Sequence, residues 1–356
     1  MSDHPTDPAP KRTRRQRYAG THPKRYAERY KELAADRYPE ILDRVRARGD
    51  TPAGRHVSVL LEESIGALAL APGAVVADCT LGFGGHSQAI LDRIGAGRLF
   101  GLDVDARALR AAAERFGDDR RFQAVRSSFA GLGRVMADVG IEGFDAVLAD
   151  LGVSSMQIDD PERGFSFREP GPLDMRLDDR KSRTAADLVA TLGAAELGAI
   201  LARNADEPAA AAIAAAIVRE RERRPIVTTK DLTAIVFAAK GLSPKTWREA
   251  SGQGKRAAHP AVRTFQALRI EVNDELGALK ELLRTLPWCL KPGGRAALIS
   301  FHSGEDRLID EALKCGVAAG LYVEASGAPI VPTPTEIFRN PRSRSAKLRV
   351  AVRARG

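Results

Sequence analysis

Three acids stand at the ends of apolar runs, the first of them β-branched, and they offer the most chemistry. Asp78 closes V-V-A-D at 75–78, Asp103 closes R-L-F-G-L-D at 98–103, and Asp150 closes F-D-A-V-L-A-D at 144–150. After Asp78 comes a loop with Gly82, Gly84 and Gly85, then His86 and a helical pattern from Ser87. A strand, a tight turn and a helix start bring main-chain N–H groups to the C-terminal edge of a parallel sheet, where glycines let a ligand meet bare backbone. A dinucleotide loop would read G-x-G-x-x-G, with a diphosphate over the helix start; D-x-T-x-G-x-G-G-H instead puts a carboxylate at the strand end. That carboxylate repels phosphate and suits an ammonium-bearing ligand, of which S-adenosylmethionine is one. Taken alone, the glycines fit an ordinary turn equally well. Asp103 tips the balance, because it lies about twenty residues beyond the glycines, where a second strand offers a carboxylate to a ribose diol. Asp105 is expected to cap the helix at 106–116.

The elements that must position these acids alternate. A third strand at 121–126 ends in Ser127, Ser128 and Phe129, where an adenine ring could meet an aromatic side chain or a backbone N–H; the fourth ends at Asp150 and runs into Ser154 and Ser155. Strand and helix in turn mean an α/β fold with a parallel sheet wound on both faces and ligands beyond the strand C-termini. Alternation stops at 156–258, where helical patterns at 185–202, 208–222 and 230–240 read as an α-helical insertion at the mouth of the site; the last begins behind a Thr228 to Asp231 capping box. One long helix is expected at 261–286, then a K-P-G-G turn at 291–294 and a fifth strand at 295–302 leading into His302 and Ser303. The stretch 346–353 alternates like an edge or antiparallel strand. The expected division is a basic extension at 1–55, a sheet domain of 56–155 and 259–356, and the inserted helical domain at 156–258.

The chain has 356 residues, 44% of them hydrophobic, and a net charge of +9 that is unevenly spread. Residues 1–55 carry 14 Lys/Arg against 8 Asp/Glu, and residues 339–356 carry 7 basic residues and no acid. A near-neutral body with cationic ends suits a polyanion, nucleic acid first, although solubility alone would also account for it. Tyr18, Tyr26, Tyr30 and Tyr38 lie among arginines, a composition that fits either a grip on single-stranded RNA or an amphipathic helix. No apolar run reaches bilayer length and no secretory apolar segment opens the chain, so a cytoplasmic protein with no membrane partner is expected. Cys79, Cys289 and Cys315 have neither metal-ligand nor disulfide spacing. The acids Asp174, Asp178 and Asp179 lack a defined ligand pattern, so no metal is expected.

Taken together, the motifs resemble those of the RsmH (MraW) family of ribosomal RNA small-subunit methyltransferases. The matching pieces are H-V-S-V-L-L at 56–61, D-C-T-L-G-F-G-G-H-S at 78–87, D-L-G-V-S-S at 150–155, R-G-F-S-F at 163–167, G-P-L-D-M-R at 171–176, H-P-A-V-R-T-F-Q-A-L-R-I at 259–270, I-S-F-H-S at 299–303 with E-D-R at 305–307, and N-P-R-S-R-S at 340–345. The resemblance implies a Rossmann-like class I methyltransferase sheet and S-adenosyl-L-methionine as donor. It also implies N4-methylation of a cytidine in the decoding region of 16S rRNA within the small ribosomal subunit. Carried over by motif, its cofactor positions are Gly84, Gly85, His86, Asp103, Phe129, Asp150 and Gln157. The chain departs from the family in having Met156 where proline is usual, A-D-E-P at 205–208 where G-E-E-R is usual, and a shorter segment before the N-P-R motif. Residues 1–55 lie outside the resemblance.

A cytosine N4 lone pair is delocalised into the ring, so a site that methylates it should hydrogen-bond the amine and hold it in line with the donor. The Asn/Asp-Pro-Pro-aromatic run that often does this is missing, and D-L-G-V-S-S stands in its place. Asp150 is therefore expected to orient cofactor or amine, with Ser154 and Ser155 as polar contacts and His302 and Ser303 on the substrate side. Arg163, Arg176, Arg263 and Arg269 are candidates for phosphate pairing and Phe165 for base stacking; internal salt bridges are the alternative for each arginine. Two other classes share parts of the pattern: a nicotinamide oxidoreductase, which needs a phosphate-compatible loop, and a ribosome-assembly factor without catalysis. A homodimer is compatible with the sequence.

Overall fold

The computed structural model describes residues 58–247 and 258–355. The basic extension with its tyrosines, and Lys255 with Arg256, lie outside them. In chain order, α1 (Leu61–Leu68) leads into β1 (Val75–Asp78), α2 (Gly85–Leu91), β2 (Arg98–Asp103), α3 (Ala106–Phe116), β3 (Phe122–Arg126), α4 (Leu132–Asp138) and β4 (Phe144–Asp150). The helical layer follows: α5 (Ser155–Asp159), α6 (Ala185–Thr191), α7 (Ala194–Ala205), α8 (Ala210–Arg221), α9 (Thr229–Ala239) and α10 (Val262–Asn273). The chain then returns to the sheet through α11 (Glu275–Cys289), β5 (Leu290–Ser300), α12 (Ser303–Ala318), β6 (Tyr322–Ala325), α13 (Pro334–Arg339) and β7 (Lys347–Arg353).

The strands form one sheet in the order β3-β2-β1-β4-β5-β7-β6. β1 to β5 pair in parallel, and β7 runs antiparallel to both its neighbours. The central strands are near-continuous apolar runs because both faces are covered. On one face Phe100, Leu102, Phe144 and Val147 pack under α4, α11 and α12. On the other Val76, Leu99, Leu148 and Ile299 pack under α1, α2 and α3. β1 pairs with both β2 and β4, so successive connections leave in opposite directions there and open a crevice beyond the strand ends.

The helical layer has its own core, including Leu173, Leu188, Leu201, Ile213, Val236, Phe265 and Leu268. It therefore extends past residue 258, because α10 contributes Ala261, Phe265 and Leu268 to it. The single helix expected at 261–286 is two helices, broken at Asp274 with φ 52° and ψ 44°. Aspartate tolerates that left-handed conformation better than most residues, and no Gly or Pro flags the break. The pattern at 185–202 is likewise split, at Leu192 and Gly193. The K-P-G-G stretch lies within β5, where the register against β4 shifts. β7 is internal and antiparallel, and the edge on its side is β6, a short strand too weakly patterned to stand out in the sequence. Among the described residues no helix is long and apolar enough to cross a membrane.

Candidate active site

A cavity of about 650 Å³ lies beyond the ends of the central strands, between the glycine loop and the helical layer. Asp78 shapes that loop from beneath. Only 1% exposed, it accepts hydrogen bonds from the Ser87 hydroxyl (2.7 Å) and the Thr80 N–H (3.2 Å), and burial lifts its pKa to about 6. Its two oxygens take these bonds from the loop itself, and it stands behind the cavity wall that Cys79 and Thr80 form. Gly82 and Gly85 line the cavity, whereas Gly84 sits behind it with φ 78°. A Cβ on Gly84 would lie 2.4 Å from the Phe116 ring, so the turn can close on α3 only with glycine there.

At the end of β2, Asp103 lines the cavity and accepts from the N–H groups of Gly82 (2.8 Å) and Asp105 (2.9 Å). Burial raises its pKa to about 6. Asp105 caps α3 through the Arg107 N–H (2.9 Å) and accepts from Gln157 Nε2 (2.9 Å) and from Arg163. Gln157 also accepts the Ser154 N–H (2.8 Å), closing a capping box on α5 with the Ser154 hydroxyl. Phe129 opens a short 3₁₀ turn on the same side of the cavity. Asp103, Phe129 and Gln157 thus share one end of the cavity with the glycine loop, and Gln157 had no signal of its own in the sequence beyond the family motif.

Asp150 ends β4 in the cavity wall, its backbone N–H bonded to Thr80 Oγ1 at 2.6 Å. Among the described residues its carboxylate has no hydrogen-bond partner: Oδ1 is buried without one, and Oδ2 lies 3.8 Å from His86 Nδ1. His86, 5% exposed, places Nε2 3.2 Å from the Val59 carbonyl. A carbonyl only accepts, so Nε2 carries the hydrogen and the neutral ring turns a bare Nδ1 toward Asp150. Burial lowers the His86 pKa to about 4. Burial, and then the charges of Asp78 and Glu305, raise that of Asp150 to about 8. Near neutral pH the pair therefore holds one proton, on Asp150.

Ser154 and Ser155 line the cavity beside Asp150. His302 lines it too, as the N-cap of α12: Nδ1 accepts the Glu305 N–H (3.3 Å), and Nε2 lies 3.1 Å from Glu305 Oε1, off the line of a hydrogen bond. Ser303 is exposed on the first turn of α12, next to His302 but outside the cavity wall.

The arginines chosen from the sequence are held by internal acceptors. Arg163 pairs with Asp105 at 2.7 Å, and Arg176 grips Asp174 through Nε and Nη2. Arg263 bonds the Asp206 carbonyl, and Arg269 makes two 2.8 Å bonds to Glu275. Of these only Arg269 lines the cavity, with Phe165 and Phe167 nearby. The wall instead contains Arg168, Asn340 and Arg342, which lie in or beside the R-G-F-S-F and N-P-R-S-R-S motifs but were not singled out.

The sequence profile of the MraW methylase family matches residues 53–354. Among curated proteins, ribosomal RNA small subunit methyltransferase H 1 of Agathobacter rectalis is 42% identical, the match covering 96% of this chain and 97% of that one. Methyltransferase H 2 of Acholeplasma laidlawii is 44% identical over 96% of this chain and 98% of its own. Methyltransferase H of Thioalkalivibrio sulfidiphilus is 44% identical over 85% and 98%.

Proposed function

This chain belongs to the MraW methylase family, and from that premise we propose that it methylates the exocyclic N4 amine of a cytidine in the decoding region of 16S rRNA. It is an S-adenosylmethionine-dependent rRNA methyltransferase with a Rossmann-like sheet. The donor set suits that cofactor: a carboxylate at the end of β2 for a ribose diol, bare glycine backbone beside it, and a cavity within the roughly 300–1,000 Å³ typical of small-molecule sites. Gly82, Gly85, Asp103, Phe129 and Gln157 would hold it. Bound there, the sulfonium supplies an electrophilic methyl group.

The rest falls to the protein. As the N4–C bond forms, the amine must give up a proton, and the carboxylate of Asp150 is the acceptor at hand. Hydrogen bonding of the amine to that carboxylate draws the nitrogen lone pair out of conjugation and aims it. The bare Nδ1 of His86 then offers an acceptor to the proton Asp150 has taken up. Ser154, Ser155 and His302 border the same space, and the helical layer built on 156–258 serves as the recognition domain that admits one unpaired base. A paired cytosine would hide its amine, so the target must be single-stranded or flipped out.

The observation that carries this reading is the unbonded Asp150 carboxylate in the cavity wall, facing a histidine whose tautomer is fixed. The test is to incubate the protein with labelled S-adenosylmethionine and small ribosomal subunits, then map the label by mass spectrometry. An N4-methylcytidine in the decoding region is expected; a methyl group on any other atom, or none, would refute it.

A further inference from the structure

We propose that Arg342 and Arg168, which converge on Asp159 beside the cavity, clamp a backbone phosphate of the nucleotide whose base enters it. The proposal rests on the RNA substrate argued above and names the part of that substrate the two arginines hold. Arg342 Nη2 lies 2.7 Å from Asp159 Oδ1, and Arg168 Nη1 lies 4.0 Å from the same oxygen. Two guanidiniums thus share one carboxylate oxygen, and both side chains line the cavity that holds Asp150 and His302. Arg342 Nη1 is buried and has no acceptor among the described residues. A charged N–H kept from water without an acceptor is costly, and folded proteins retain one where a ligand atom completes the set. An oxygen-rich anion suits this pair: guanidinium forks match phosphate geometry, and a second fork alongside lets one phosphate bridge the two.

The scaffold behind the pair is firm. Arg342 sits in a 3₁₀ turn, Pro341–Ser345, capped by the Asn340 side chain and closed by the buried Ser343 hydroxyl on the Asn340 carbonyl (2.8 Å). The preceding α13 is tied to Leu60 by a 2.9 Å bond from the Leu60 N–H to Glu336, next to the Val59 carbonyl that orients His86. On the other side, Phe167 stacks on His259 at 3.9 Å and fixes the loop carrying Arg168, whose N–H donates to Ser166 Oγ. Asp159, 7% exposed, anchors a pair whose own side chains are 32% (Arg342) and 65% (Arg168) exposed. The arginines read from the sequence lack this combination. Arg163, Arg176 and Arg263 are off the cavity, and Arg269 spends Nε and Nη2 on Glu275.

The test compares cytidine with cytidine 3′,5′-bisphosphate by calorimetry on the full-length protein saturated with S-adenosylhomocysteine. The wild type should prefer the bisphosphate. Arg342→Gln should weaken bisphosphate binding about tenfold, the loss of one charge-assisted contact, and leave cytidine unchanged. Arg342→Lys should recover part of the loss, and Arg168→Gln should show a smaller one. With small ribosomal subunits, Arg342→Gln should raise KM and reduce the salt dependence of binding by about one phosphate contact. Equal losses for cytidine and its bisphosphate, or weakened S-adenosylhomocysteine binding, would assign the arginine to the base or to the cofactor carboxylate and overturn the clamp. A wild type with no preference for the bisphosphate that still methylates rRNA overturns the clamp alone. Failure to methylate any cytidine overturns the reading beneath it.

Discussion

A proton acceptor inside an apolar wall works only when it is ionised, and Asp150, held to about 8, is mostly protonated at pH 7. Methyl transfer should therefore speed up from pH 7 to 9 with a midpoint near 8, measured as kcat/KM on small ribosomal subunits. Asp150→Asn should cost about 10²-fold or more and flatten the profile while S-adenosylhomocysteine binding persists. Stability should run the other way. The folded pKa of Asp150 lies above its unfolded value, so the folded state keeps a proton that the unfolded chain has lost. That contribution is complete below about 4 and disappears as pH rises through about 8. Between pH 6 and 9 the Tm of the wild type should fall relative to that of Asp150→Asn. The strand-end position of Asp78, Asp103 and Asp150 was legible in the sequence, because an apolar run followed by an acid and a turn marks it. Which oxygens neighbours had already claimed was not. Asp78 is bonded to Ser87 and Thr80, and Arg163, Arg176 and Arg269 to Asp105, Asp174 and Glu275, neighbours whose nearness only the folded chain creates.

Turns and breaks decide where the elements place these groups. Gly84→Ala should lower stability by about 1–3 kcal/mol, read as a drop in Tm, because the new methyl group meets the Phe116 ring at a left-handed backbone position. At the far end of α10, Asn273 binds the loop that enters the cavity: Nδ2 donates to the Met175 carbonyl (2.8 Å) and Oδ1 accepts the Leu177 N–H (2.8 Å). Met175 is held at φ 63°, so the loop depends on this clasp. Asn273→Ala should destabilise by about 1–3 kcal/mol and speed hydrogen exchange at the Leu177 amide. Periodicity located the parallel strands and the helices of the insertion because burial writes itself into the spacing of apolar residues. It could not reveal the left-handed Asp274, where helical propensity continues across the break, nor the edge strand β6, whose Val323 and Glu324 are both exposed.

The whole molecule is a sheet and a helical layer with separate cores, meeting over one cavity. Across the β2 and β3 side they are joined by ion pairs: Arg107 to Asp160 at 2.6 Å, Arg163 to Asp105 at 2.7 Å, and Arg126 to Asp178 and Asp179. The Arg163–Asp105 pair is largely buried, but the others are partly exposed and so are screened by salt. The covalent joins lie elsewhere. The chain leaves the sheet after β4 and comes back through α11 to β5, the adjacent strand. The helical layer is therefore hinged where the chain leaves β4 and returns to β5, and held by charge across the β2 and β3 side and, through Arg342 and Asp159, beside the turn before β7. Raising ionic strength should hasten exchange of S-adenosylhomocysteine, followed by stopped-flow displacement, more than it perturbs Asp150 and His302 at the hinge. Spent donor would thus leave by the β2 and β3 margin that salt loosens, a doorway set apart from the workbench of Asp150 and His302.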